Sequence, residues 1–174
     1  EPKSDDIILK QMKRQANLAI DMADVIVLVV DGRSGVTASD RDVANMIRKS
    51  GKPCVLAVNK IDSFDIDYLR YEFYDLGLGE PIAISAEHAL GFGDLLDEVV
   101  AHFPENKKGI DEEERTKIAV VGKPNAGKSS LVNTLLGENR VIVSNISGTT
   151  RDAIDTVFNY EGKNYTLIDT EIGR

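Results

Sequence analysis

Three apolar runs constrain this chain more than any other feature. "DVIVLVVD" (24–31), "PCVLAV" (53–58) and "KIAVVG" (117–122) are continuous and rich in β-branched residues. They lack the alternation of a half-exposed strand, so each reads as a strand buried on both faces. "PIAIS" (81–85) is a shorter run of the same kind. Helical patterns separate them. Residues 4–22 carry Ile8, Met12, Ala16 and Ala19 at helical spacing, with Ala23 following. Further helices are expected over 38–49, 65–76 and 92–103, and in "SSLVNTLL" to about residue 136. "IDTVFNYEGKNYTLID" (154–169) alternates around "EGKN", a hairpin signal, while "RVIVSNISGTTRD" (140–152) reads as a loop. Repeated strand–helix units predict an α/β fold: a mostly parallel six-stranded sheet with helices on both faces.

A length of 174 residues suits one domain, and the 42% hydrophobic share supplies a core. "PENKKGIDEEERT" (104–116) is polar and of mixed charge, and reads as a linker between residues 1–103 and 117–174. The formal net charge of −8 repels nucleic acid phosphates, so any RNA contact needs a local basic patch. The single cysteine, Cys54, sits in a strand and reads as a buried reduced thiol, which suits a reducing cytoplasm. One cysteine and two histidines make no metal cluster; His88 and His102 read as surface residues. No apolar run has membrane-spanning length and no signal peptide opens the chain. The opening "EPKSDD" has no initiator Met and reads as the interior of a longer protein or an engineered piece.

"GKPNAGKS" fits G-x-x-x-x-G-K-S/T at Gly122, Gly127, Lys128 and Ser129. Gly122 and Gly127 tolerate a backbone that side chains would obstruct. The N–H groups from Asn125 and Ala126 through Gly127 to Ser130 can wrap phosphates, aided by the positive end of the following helix. Lys128 reaches the β- and γ-phosphates, and Ser129 offers its hydroxyl to Mg²⁺. A plain glycine turn would use the same residues, but the apolar strand before and the helix after favour a nucleoside triphosphate site.

"NKID" (59–62) follows the buried strand 53–58. Asp62 can accept from guanine N1–H and the 2-amino group, where adenine would leave it unpaired. Asn59 suits the guanine O6/N7 edge, and the Lys60 stem can lie over the ring. Alone, Asp62 would read as a helix N-terminal carboxylate. "SAEH" adds a second signal after a strand: Ser85, Ala86 and Glu87, with backbone N–H groups near Ala86 facing guanine O6. In "GTTRD" (148–152), Thr149 or Thr150, with Thr150 favoured, would complete the Mg²⁺ shell; Asp169 in "LIDT" would hold the ion through water. Loop hydroxyls and a strand-end cap are the plainer readings of these residues.

With these motifs in place, the chain resembles the EngA/Der family of tandem-domain bacterial GTPases. Residues 24–62 and "ISAEHALGFGDLLDEV" resemble the second half of the family's first G domain. Residues 117–155 through "LIDT" resemble the first half of its second. The resemblance implies a P-loop Ras-like G domain, GTP or GDP with Mg²⁺, and a role in large ribosomal subunit assembly, with ribosomal RNA as a partner by family likeness. It also implies that Asn125 can serve a K⁺ ion, and that Lys128, Asn125 and Thr150 carry the catalytic load. The family's D-T-A-G-I-R stands here as "DTEIGR" (169–174), with Gly173 one position late.

A base-reading half therefore precedes a phosphate half, each incomplete alone. A circularly permuted G domain is favoured; two separate halves would expose sheet edges, and a swapped dimer would keep the same local site. The linker can span roughly 40 Å when extended, ample for the joint. Guanine nucleotide binding with slow Mg²⁺-dependent GTP hydrolysis is the leading functional reading. The alternative, supported by "DTEIGR", is a GDP-binding module that neither hydrolyses nor switches. An ATP-using P-loop kinase is disfavoured by the guanine motifs.

Overall fold

The computed structural model describes residues 4–103, 115–147 and 155–168. Its elements are α1 (Ser4–Met22), β1 (Val25–Asp31), α2 (Ala38–Ser50), β2 (Cys54–Asn59), a 3₁₀ helix (Phe64–Leu76), β3 (Pro81–Ala83), α3 (Phe92–Ala101), β4 (Thr116–Val121), α4 (Lys128–Leu136), β5 (Val141–Ser147), β6 (Thr156–Tyr160) and β7 (Lys163–Ile168). The strands form one sheet in the order β3-β2-β1-β4-β7-β6-β5. The pairings from β3 through β7 are parallel; β6 runs antiparallel to both β7 and β5.

β1 shows why the apolar runs do not alternate. Val25, Val27 and Val29 point into a core that they share with Leu95, Leu96 and Val99 of α3 and Leu131 of α4. Ile26, Leu28 and Val30 point into a second core with Met12, Ala16 and Ile20 of α1 and Val43 and Ile47 of α2. A strand covered by helices on both sides must be apolar at every position. The stretches before and after residues 104–114 meet directly in this sheet: Val25 stands opposite Ile118, and Leu28 opposite Val121.

The sheet has seven strands, one more than the sequence reading. Val141–Ser147, expected as loop, is the edge strand β5, with an irregularity between Val143 and Ser147. Val141 is buried, but Ile142 and Val143 are exposed, so the apolar run gives no burial pattern that announces a strand. An edge strand needs only one partner's backbone, which composition does not announce.

Residues 64–76 form a 3₁₀ helix, not the α-helix their spacing suggested. Asp67, Arg70, Phe73 and Leu76 recur every third residue, the interval that eclipses in a 3₁₀ helix. Phe73 and Leu76 are buried, and Arg70 Nε pairs with Asp67 at 3.2 Å. In α1, Met12, Ala16 and Ala19 are buried as expected, whereas Ile8 is exposed. The linker expectation of 104–116 shortens at its far end, because Thr116 begins β4; residues 104–114 lie outside the described residues.

Candidate nucleotide site

β1, β2 and β4 are parallel and adjacent, so their carboxyl ends open on one edge of the sheet, where α/β sheets bind ligands. The loops after β2, β3 and β4 meet there around a cavity of about 720 Å³. Asn59, Lys60 and Asp62 contribute from the loop after β2; Ser85, Ala86 and Glu87 from the loop after β3. Asn125, Gly127 and Ser130 close it from the loop after β4 and the first turn of α4. Nine sequence-predicted residues thus share one cavity. Ala126 is buried beneath it, and Lys128 and Ser129 open α4 beyond its lining. Thr149, Thr150, Asp169 and Gly173 lie outside the described residues.

The loop after β4 has the backbone of a phosphate cradle. Gly127 sits at φ +107 and Asn125 at φ +68, a conformation that L residues rarely adopt. Gly122 is required for a different reason: a Cβ there would lie 2.5 Å from the Val29 carbonyl oxygen. So Gly122 lets β4 leave the sheet against β1, and the unusual angles fall at Asn125 and Gly127. With no acidic residue in its first turn, α4 presents its positive end to the cradle.

Asn59 has a role the sequence did not suggest. Its side chain is buried at the cavity: Nδ2 donates to the Ala126 carbonyl at 2.9 Å, and Oδ1 accepts from the Ala86 N–H at 3.0 Å. It ties all three loops together, and the Ala86 N–H, one of the N–H groups in the stretch expected to face guanine, is engaged in that tie. Thr134 Oγ1, on α4, donates to the Ala86 carbonyl at 2.8 Å from the other side. Asn59→Ala would leave a buried N–H and a buried carbonyl without these partners, at about 1–3 kcal/mol for each. We expect a lower midpoint in urea unfolding; an unchanged midpoint would show that the tie carries no structure.

Lys60 also binds the phosphate loop. At φ +71 it turns its side chain so that Nζ donates to the Asn125 carbonyl at 3.2 Å and pairs with Asp31 Oδ2 at 2.8 Å. Burial works against the charge on Asp31, yet bonds from Lys60 Nζ, the Arg33 N–H and the Ser34 side chain outweigh it and hold its carboxyl below the ordinary carboxylate range. Asp62 is held on Oδ1 by Arg33 Nη2 at 2.9 Å, and His88 Nε2 stands 4.0 Å from Oδ2.

Sequence reasoning missed Asp31, Arg33 and Thr134. The first two stand in "DGRSG", directly after an apolar strand and at the same sheet edge, which is the signal that could have found them. Cys54 takes no part in the site; it is half-buried, not fully buried as its strand suggested, and desolvation pushes its thiol up to about 12. Among the described residues there is no cluster of three His, Cys, Asp or Glu suited to a metal ion. A hydroxyl such as Ser129 Oγ at a helix start beside a phosphate cradle is the donor chemistry that suits Mg²⁺ alongside phosphate oxygens. None of the described helices is long and apolar enough to cross a membrane.

Comparison with known proteins agrees with this geometry. Residues 10–105 match the elongation factor Tu GTP binding domain, and residues 117–171 match the family described as 50S ribosome-binding GTPase. GTPase Der of Ruminiclostridium cellulolyticum is 62% identical over 171 residues, covering 98% of this chain and 39% of that protein. GTPase Der of Caldicellulosiruptor saccharolyticus is 62% identical and that of Clostridium perfringens 58%, with the same coverages. The chain thus spans 39% of the length of these relatives. Among solved structures, YjeQ from Thermotoga maritima aligns with a TM-score of 0.51 at 22% identity, over 84% of this chain and 47% of that one, a likeness of fold alone. Its P-loop α/β sheet, the two GTPase family matches and the Der identity along nearly its whole length agree: the chain belongs to the EngA/Der family of GTP-binding proteins.

Proposed function

We propose that this chain binds GDP and GTP at the carboxyl edge of its sheet and, with Mg²⁺, hydrolyses GTP slowly to GDP and phosphate. One observation carries the reading: the base-reading turn and the phosphate loop are bonded to each other, through Asn59 Nδ2 to Ala126 and Lys60 Nζ to Asn125. A base held by the first thereby has its phosphates at the second. Asp62 accepts from guanine N1–H and the 2-amino group, while the Lys60 stem covers the ring. The residues Ser85, Ala86 and Glu87 wall the base edge, and Asn59 positions the loops.

The N–H groups from Asn125 to Ser130 cradle the phosphates, and Lys128 neutralises charge on the β- and γ-oxygens. Water attacks the γ-phosphorus and gives up a proton to a γ-phosphate oxygen, the bond to the bridging oxygen breaks, and the leaving charge falls on the β-phosphate that Lys128 and the loop stabilise. Mg²⁺, when bound by Ser129 with Thr150 and Asp169, supplies further charge neutralisation across the phosphates. A K⁺ ion at Asn125 would add to it.

The domain that does this is a single circularly permuted unit. Its support is the direct pairing of β1 with β4 and the packing of Phe103 on Tyr165, with ring centroids 4.6 Å apart, at the opposite edge. It acts as a monomer, in the cytoplasm, within ribosome assembly, where the family operates. A second reading is that the chain binds GDP without hydrolysing GTP. "DTEIGR" favours it, because the displaced Gly173 moves the N–H that would sense the γ-phosphate.

Calorimetric titration with GDP and ADP, with solution mass measured alongside, tests the binding. One GDP per monomer and no ADP uptake is the expected result; tighter ADP binding would overturn it. Single-turnover GTP hydrolysis with Mg²⁺ and K⁺ separates the two readings, since a rate equal to buffer leaves only the binding module.

A further inference from the structure

Arg33 lines the base end of the cavity, yet it belongs to neither the NKID turn nor the SAE loop. It stands in the β1–α2 loop, which Gly32 allows to lie flat on the base-reading turn. Gly32 N–H donates to the Asn59 carbonyl at 2.8 Å, and a Cβ at Gly32 would meet Ile61 Cδ1 at 2.7 Å. The Arg33 main chain is fixed in turn by its N–H bond to Asp31 Oδ1 at 2.9 Å.

From this base the guanidinium reaches two acceptors with one edge. Nε donates to the Lys60 carbonyl at 3.2 Å and Nη2 to Asp62 Oδ1 at 2.9 Å. These acceptors bracket the turn that reads the base. Lys60 sits in the left-handed region, so the fork also holds a peptide that would otherwise relax. A planar fork suits two fixed acceptors; a lysine ammonium would meet one of them as a point charge. An ionised carboxylate offers about four lone-pair sites, so one bond from Arg33 leaves room for the two that guanine requires.

Resting on the proposed base site, we propose that Arg33 is a positioning residue for guanine selection. Its fork sets the Asp62 carboxylate so that both oxygens meet N1–H and the 2-amino group together. It does this through Asp62 and not by contact with the base.

GDP and IDP separate the effect, because hypoxanthine keeps N1–H and lacks the 2-amino group. Calorimetric affinities for both would be compared in wild type, Arg33→Ala and Arg33→Lys. An exposed tie with one bond to the Asp62 carboxylate and one to the Lys60 carbonyl predicts GDP binding about three- to tenfold weaker in Arg33→Ala. IDP should lose less, so the GDP-to-IDP preference shrinks, and Arg33→Lys should not restore it. Equal losses for both nucleotides would assign Arg33 a merely structural role and overturn the proposal. So would full rescue by lysine, tighter GDP binding in Arg33→Ala, or no change. Wild type that binds no GDP would instead sink the base site itself.

Discussion

Asp62→Asn should turn a guanine site into one that prefers xanthine. The carboxylate is paired with Arg33 at 2.9 Å and sits at the mouth of the cavity beside Lys60. Guanine presents two donors to it, N1–H and the 2-amino group. An amide can accept only one of them, and its NH₂ opposes the other donor. Each bond to a carboxylate contributes about 1.5–3 kcal/mol, so losing one of the two weakens GDP by roughly 10- to 10²-fold, and the opposed NH₂ groups weaken it further. Xanthine carries a 2-oxo group in place of the amine, and the new NH₂ pairs with it. The measurement is direct titration with GDP and XDP. An unchanged GDP affinity would mean that Asp62 does not read the base, whatever its place in the cavity.

Gly127→Ala should abolish tight nucleotide binding and also lower stability. Two independent penalties fall on one methyl group. At φ +107 an alanine is strained, which costs on the order of 1–3 kcal/mol. The new Cβ would also lie about 2 Å from Asn59 Nδ2, inside any permitted contact (2.1 Å in the unrelaxed backbone). Asn59 is buried and bonded at both ends of its amide, so it cannot swing aside without giving up Ala126 or Ala86. Either the phosphate loop moves or the tie between the loops breaks. Thermal melting should fall by several degrees, and GDP should no longer raise the melting temperature. A variant with wild-type melting and GDP protection would show that the cradle tolerates a side chain there.

The strands of the sheet centre were legible because burial on both faces demands an unbroken apolar run, as in residues 24–31 and 117–122. The loop after β4 was legible because its glycines and lysine follow such a strand. β5 was not, because Ile142 and Val143 face solvent on an edge strand and contribute no pattern. Nor was the 3₁₀ geometry of residues 64–76, whose apolar residues satisfy three- and four-residue spacing equally. The loop tie that Asn59 makes was not legible for a different reason. An amide beside a base-reading aspartate suits a base edge, but its partners stand 27 and 67 residues away and are unknown to the local sequence.

By itself, then, the sequence determined which segments must be buried and which glycine-, lysine- and carboxylate-bearing turns follow them. These depend on local pattern, and water enforces that pattern wherever the segment ends up. Only the tertiary structure decided that β1 lies against β4, that Asn59 turns inward as a tie, and that Arg33 from a third loop grips Asp62. Strand order and hydrogen-bond partnership are set by groups distant in the chain that must satisfy one another at the same time. No single stretch contains both halves of such a contact.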